Sequence, residues 1–421
     1  MMELDDWIER QALLSAELME RAISATELRR ERAVLGQIVV PARGSVLASP
    51  TIADWDPEPD YFFHWVRDSA IVMRTIAGLV ADAQSGAECR RRMRHFHDFV
   101  AFSLALTRLD GRDCPSLQEK AQPEFRKYLR PEEEMRALAG DAVLGEPRFN
   151  PDGSLDALRW SRPQYDGPAL RALACLQFLA DGGEADGGIQ ELLRGDLDFT
   201  VRHAGAACIG PWEEADENAH HYYVALVQLG ALVHGRAFAT ARDAESQLRA
   251  QLDRHWSGEV YAAIWPFRGV GGEDIVDAAC LLGVLDADLP DGPHSAGDPR
   301  VWQTLAALEA LFVHEFPINR GRRAPALGRS RHDRYFGGGA WYVTTLAAAS
   351  LCYRRGRRLR DADLIARGDA FMTTVRDFTP ADGHLAEQID RATGALASAR
   401  DLTWSYAAFV SAARLRRACL R

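Results

Sequence analysis

Apolar residues recur at intervals of three and four along most of this 421-residue chain, while runs alternating on a two-residue period are scarce. Such a chain must bury its apolar faces helix against helix. The periodicity predicts twelve helices, over 4–33, 66–82, 90–108, 166–181, 188–203, 219–234, 241–255, 274–286, 300–314, 340–355, 360–376 and 402–418. In 360–376, Leu364, Ile365, Ala370, Phe371 and Val375 fall between Arg and Asp at helical spacing. Pro168 sits in an opening turn, where its missing N–H costs nothing. Arg354, Arg355 and Gly356 read as a helix end, with cations and glycine where the last turn favours them. The best strand candidate is a short hairpin within 36–46.

Helix pairs on this scale make either an open solenoid or a closed (α/α)6 barrel. A solenoid shows a fixed repeat of about 20–50 residues, and none is visible. The segments between helices are long, at 35–65, 110–165, 204–218, 256–273, 315–339 and 377–401, and hold most of the Trp, Tyr, Arg and acid clusters. Loops of that length usually carry function. The expectation is one all-α domain over 1–421, an (α/α)6 barrel with a pocket at one rim.

Charge and cysteine usage exclude several classes of function. The formal net charge is −10, which disfavours a nucleic-acid partner; the basic runs Arg90 to Arg94 and Arg354 to Arg360 read as solvated helix faces or ends. No segment approaches the roughly 20 apolar residues that span a bilayer, and the acidic start has no signal-peptide pattern. Seven cysteines stand singly, without metal-ligand spacing. These readings predict a cytoplasmic protein, without metal or cofactor, that is a monomer or weak homo-oligomer.

Four segments carry residues suited to chemistry. Pro59 to Ser69 (PDYFFHWVRDS) sets aromatics beside Arg67 and Asp68 at a helix entrance; rings cover the apolar faces of a pyranose and charged groups satisfy its hydroxyls. Read alone, helix capping by Asp68 is the commoner use. Arg148 to Pro168 offers Trp160, an Arg and a Gln ahead of a helix. In Gly210 to Glu214 (GPWEE), a carboxyl held against Trp would keep its proton, although first-turn acids also decorate helix dipoles. Glu387 lies in a loop before a Trp- and Tyr-bearing helix, with Asp401 read as that helix's cap.

Taken in order, PDYFFHWVRDS, GEPRFN, WSRPQYDGPALRA, PWEE, GRSRHDRYFGGGAWYVTTLAA and AEQIDR with SARDLTWSYAA resemble the catalytic domain of glycoside hydrolase family 15, the glucoamylases. The resemblance covers nearly the whole chain and implies an (α/α)6 barrel that hydrolyses an α-glucoside with inversion. It makes Glu213 the general acid and Glu387 the general base. Arg67 and Asp68 would grip the non-reducing glucose, with Tyr61 and Trp65 lining its subsite. Glu214, Trp160 and Arg329 would surround the next sugar, with Trp341 and Tyr335 near it. Trp212 of the PWEE segment counts with the sugar-binding side chains. Ser398 would hydrogen-bond the base, and Trp404 would pack beside it. The chain departs from fungal members at Phe63, Gly210 and Ile389, and its 329–334 loop is more basic.

A starch-binding module and an N-terminal β-domain are not expected, which points to short oligosaccharides as substrates. Linkage specificity for α-1,4, α-1,6 (isomaltose) or trehalose stays open within the family. Outside it, a sugar epimerase would want His220 or His221 as acid and base, but that pair reads as a helix face. A non-catalytic helical scaffold would want regular repeats.

Overall fold

A computed structural model describes residues 3–51, 59–214, 218–267 and 271–420, so parts of the loops expected at 35–65, 204–218 and 256–273 lie outside the described residues. Twelve helices of at least nine residues are present among them. They are α1 (Leu4–Arg21), α2 (Val66–Ala81), α3 (Gly86–Thr107), α4 (Asp166–Ala180), α5 (Gly187–Arg202) and α6 (Tyr222–His234). The remainder are α7 (Arg242–Asp253), α8 (Ala279–Ala287), α9 (Pro299–Glu315), α10 (Tyr342–Leu359), α11 (Ala362–Phe378) and α12 (Thr403–Cys419).

Burial sorts these helices into two rings. In α6 every residue from Tyr222 to Leu232 is buried, and α2, α4, α8, α10 and α12 are buried over most of their circumference. By contrast, α7 buries only Ala244, Glu245, Leu248 and Leu252, a single stripe. A helix that is apolar all round needs neighbours on every side, and a striped one needs a single neighbour. The packing follows: α2, α4, α6, α8, α10 and α12 touch in sequence, and α12 closes the ring against α2. Around them α3, α5, α7, α9 and α11 each back the helix before them, and α1 backs α12. The molecule is an (α/α)6 barrel.

Short strands fix where the inner helices begin. β3 (His64–Trp65) pairs with β4 (Arg148–Phe149), and α2 starts at the next residue. β5 (His220–His221) pairs with β6 (Ile264–Trp265) directly before α6. β7 (Ala340–Trp341) joins β8 (Ala386–Ile389) and β9 (Leu396–Arg400) directly before α10. These pairings collect the inner-helix N-termini and the long loops at one end of the barrel.

Several boundaries differ from the sequence expectation. The helix predicted over 4–33 stops at Arg21; Ser24 has φ 55, a left-handed conformation that ends helix propagation. Beyond it, β1 (Arg30–Arg32) pairs with β2 (Gln37–Val39), so the first hairpin spans 30–39, not 36–46. The helix predicted from 274 begins at Ala279, after a separate turn at Gly272–Ile275. Gly356 does not end α10, which runs on to Leu359 before Arg360 turns left-handed; Gly356 instead lets α11 approach, since a Cβ there would lie 2.9 Å from Ile365. The paired histidines 220 and 221 form a strand rather than a helix face.

One buried ion pair ties the rings together. Arg171 on inner α4 donates to both carboxylate oxygens of Asp196 on outer α5, at 2.8 and 2.6 Å, with both side chains nearly inaccessible. Removing one partner leaves an uncompensated buried charge. Asp196→Ala should therefore lower the unfolding free energy by about 3–5 kcal/mol, while the double replacement Arg171→Leu with Asp196→Leu should recover most of that loss, both read from urea unfolding.

Candidate active site

Every predicted site residue except Ser398 lines one cavity of about 180 Å³ at the end of the barrel where the inner helices begin. Trp65, Arg67 and Asp68 arrive with β3 and the first turn of α2, Trp341 with β7, and Trp404 with the first turn of α12. Trp160, Trp212, Glu213 and Glu214 come from long loops, as do Arg329 and Tyr335.

Arg67 is the centre of the polar arrangement. It is buried, and its guanidinium faces Asp68 at 3.4 Å, Asp166 at 3.5 Å and Glu213 at 3.3 Å. Those carboxylates hold its pKa above the usual arginine range against the cost of burial. Asp68 is pushed the other way, to about 6, chiefly by burial and with Glu213 and Asp166 adding repulsion that Arg67 only partly offsets. Arg67 Nε and Asp68 Oδ2 face each other at 3.4 Å as an ion pair, but they and Trp341 Nε1 make no hydrogen bond among the described residues. Unsatisfied buried polar atoms are rare and costly; here donors and an acceptor sit beside the cavity, where hydroxyl groups could satisfy them.

The two predicted catalytic acids occupy contrasting surroundings. Glu213 accepts hydrogen bonds from Trp65 Nε1 (3.0 Å), Gln164 Nε2 (2.8 Å), Arg67 Nη2 (3.3 Å) and Trp160 Nε1. Its carboxyl does not face the apolar wall expected from the PWEE sequence; both tryptophans turn their N–H edges toward it. Glu387 is buried on β8 and accepts from Tyr61 OH (3.0 Å) and Ser398 Oγ. Burial pushes its pKa up to about 7, although Ser398, Arg329 and Tyr61 all pull it down. The Tyr61 and Trp65 rings, 5.1 Å apart, form a continuous wall with one carboxyl held at each end.

Backbone geometry aims these groups. Glu213 has φ 59 and Ser398 φ 62, conformations that cost energy outside glycine and cluster at functional sites. The β8–β9 register slips between Ala386 and Gln388, a bulge centred on Glu387; bulges re-aim a side chain in this way. At Gly210 an added Cβ would lie 2.4 Å from the His221 ring, which accounts for glycine at this departure from the fungal pattern.

Residues 28–367 and 362–414 match the model of "Glycosyl hydrolases family 15". The chain belongs to this family. It is therefore a glycoside hydrolase. It is 26% identical over 454 residues to a glucoamylase of Blastobotrys adeninivorans, covering 89% of this chain and 67% of the relative. It is 28% identical over 438 residues to a glucoamylase of Neurospora crassa, covering 89% of this chain and 64% of the relative. The chain thus spans about two thirds of the length of these curated relatives. Its fold matches the glucoamylase structure from Saccharomycopsis fibuligera with a TM-score of 0.78 at 22% identity, over 100% of this chain and 96% of that one.

Several supports of the site in this family 15 enzyme have no signature in single residues. Gln164 bridges Arg67 Nη1 (2.9 Å) and Glu213 (2.8 Å); it lies within the WSRPQYDGP segment but carries no chemistry of its own to flag it. Asp333 clamps Arg329 through two bonds of 2.8 and 2.5 Å and leaves it able to reach Glu214. Asp277 holds the Trp212 indole at 2.8 Å. The guanidinium of Arg148, 3.7 Å from the Trp160 ring centre, backs that indole. Asp401 is no helix cap: the N-cap of α12 is Leu402, and Asp401 instead accepts from Tyr406 OH and pairs with His384. Ser398 lies behind Glu387 rather than on the cavity wall.

Gln164→Leu removes two hydrogen bonds to charged groups, each worth about 1.5–3 kcal/mol. It should lower kcat/KM on maltose by about 10–100-fold while the thermal midpoint stays within a few degrees of the parent.

Proposed function

We propose that this chain is an inverting exo-α-glucosidase of the glucoamylase type, releasing β-glucose from the non-reducing end of short α-1,4-linked glucans. The observation that carries the reading is the pair of carboxyl groups, Glu213 and Glu387, held at opposite ends of the Tyr61–Trp65 wall of one small pocket. Its volume of about 180 Å³ is below the roughly 300–1,000 Å³ of drug-sized ligand sites. A single sugar ring suits it better than a chain running through. The names of the curated relatives from Blastobotrys adeninivorans and Neurospora crassa, both glucoamylases, support the same substrate class.

Position supports the two roles. Glu213 lines the pocket and also the open rim beside Arg130, Trp160 and Arg162, so it meets the oxygen that leaves with the rest of the glucan. It acts as general acid there. Glu387 is enclosed, and its two hydroxyl donors favour the anion needed to take a proton from water. Water attacks the anomeric carbon from the ring face opposite the leaving oxygen, which inverts the centre; enzymes of this type separate their carboxyls by roughly 6.5–9.5 Å. Arg67 and Asp68, which both line the pocket, grip the terminal glucose hydroxyls. Glu214 and Arg329 meet the next sugar, with Trp160, Trp212, Tyr335 and Trp341 around it. The seven free cysteines suit a reducing compartment and support a cytoplasmic enzyme.

Glu213→Gln and Glu387→Gln should each cut hydrolysis of maltose by about 10²–10⁴-fold with the fold preserved by circular dichroism. Proton NMR of the parent reaction should show β-glucose first, and initial α-glucose contradicts inversion. Maltose should be cleaved faster than isomaltose or trehalose; the reverse order overturns the linkage.

The pH profile tests the base separately. Glu387 works ionised and titrates near 7, so kcat/KM should rise with pH through about 7. Ser398→Ala and Tyr61→Phe each remove a donor to the anion, which raises the pKa. Both variants should move this acid limb to higher pH, and a limb that moves lower contradicts the assignment.

A further inference from the structure

Deeper along the barrel axis lies a second and larger cavity, of about 350 Å³, which the proposed hydrolysis does not use. Trp404 lines both this cavity and the catalytic pocket, so the two share one indole. The walls come mainly from α2, α8, α10 and α12. Each of these inner helices begins at the catalytic end, so position along a helix gives depth, at about 1.5 Å per residue.

Three tiers result. Nearest the catalytic pocket are Trp404, Ile71, Leu282, Val343 and Leu346, an apolar tier. Next are the hydroxyls of Thr75, Ser350 and Ser411, contributed by three different helices. Thr75 and Ser411 bond each other at 3.2 Å, whereas Ser350 makes no side-chain hydrogen bond among the described residues. At the far mouth stand charged side chains.

That mouth is rich in guanidinium groups. Five arginines but only three aspartates line the cavity. Arg74 and Arg354 share one carboxylate, Asp288. Asp286 accepts from Tyr223 at 2.9 Å and offers Arg74 its backbone carbonyl instead of its carboxylate. Arg414 is matched by Asp82 at 2.7 Å and Arg417 by Glu9 at 2.5 Å. Arg357 has no ion pair among the described residues. Burial also pushes Asp286 up to about 6, which weakens its share of the neutralisation. Arginines in a last turn complement a helix C-terminus, but exposed side chains serve for that. Arg74 and Arg354 are instead drawn inward, with 16% and 23% of their side chains accessible.

We propose that this cavity is a second binding site, for a phosphorylated hexose, with the sugar among the hydroxyls of Thr75, Ser350 and Ser411 and the phosphate one to two turns deeper on Arg354 and Arg357. Converging hydroxyls from three helices suit the hydroxyl groups of a pyranose. Guanidinium groups bind phosphate oxygens through charge-assisted bonds.

Titration calorimetry of the full chain tests this with three probes: glucose 6-phosphate, inorganic phosphate and glucose. Glucose 6-phosphate should bind one equivalent even when saturating glucose fills the catalytic pocket, and inorganic phosphate should bind at least about tenfold more weakly. The double variant Arg354→Gln with Arg357→Gln should weaken glucose 6-phosphate by about tenfold or more and leave maltose hydrolysis unchanged. If the double variant does not fold, Arg357→Gln alone, at an exposed position, carries the same test. Displacement by glucose overturns the proposal, as does absence of binding at millimolar concentration. Equal binding of inorganic phosphate, or indifference to the arginine substitutions, overturns it as well.

Discussion

One buried cation organises the catalytic end of the barrel. Arg67 meets Asp68, Asp166 and Glu213 within 3.5 Å, and those carboxylates come from α2, from the start of α4 and from the loop before α6. A charge taken out of water is tolerated only with partners in good geometry, so three segments far apart in sequence are held in register by one ion. The balance is lopsided, with three acids for one guanidinium. Burial, with Glu213 and Asp166 adding repulsion, pushes Asp68 up to about 6, and the excess of carboxyl groups lies where a glycosidic bond breaking towards an oxocarbenium ion would develop positive charge.

The barrel makes that arrangement possible by setting its inner helix N-termini side by side. Helix starts carry partial positive charge, and Asp68, Asp166 and Asp277 all lie at such starts. The two-residue strands stop each helix from sliding, because Trp65 and Trp341 are locked by pairing to Arg148 and Gln388 just before α2 and α10 begin. Tryptophans placed this way lose little freedom on meeting a substrate, and little of the binding energy goes into ordering them.

How legible was this in the amino-acid sequence? The inner helices were, because continuous apolar runs such as Tyr222 to Leu232 have no other stable use in a chain of this composition. The ring closure was not: nothing local to Thr403–Cys419 says that it must touch Val66–Ala81. At the site, Glu213 and Glu387 stood out only through the company of their motifs, since a Glu pair and a lone Glu each have ordinary structural uses. Gln164, Asp333 and Asp277 escaped notice because their importance lies in which atom they hold, and that depends on distances between loops. Ser24 and Asp401 misled for a related reason. Each adopts a left-handed backbone, which Ser and Asp tolerate without any signal in helical periodicity.

The same left-handed geometry recurs at the two carboxyls, and its placement has a physical logic. Glu213 itself and Ser398, the partner of Glu387, both sit at positive φ, and Glu387 rides a bulge. Such conformations cost of order 1–3 kcal/mol each, so surrounding contacts must over-determine them. They do. Four N–H donors surround Glu213, and three-stranded pairing brackets Glu387. Regular strand or helix geometry would set side chains at fixed periods of two or 3.6 residues. Two carboxyls that must face one sugar from different segments need departures from those periods, and each departure is located at the group it aims. The strain is confined to the rim, while the inner helices beneath keep regular geometry and supply the stability that offsets it.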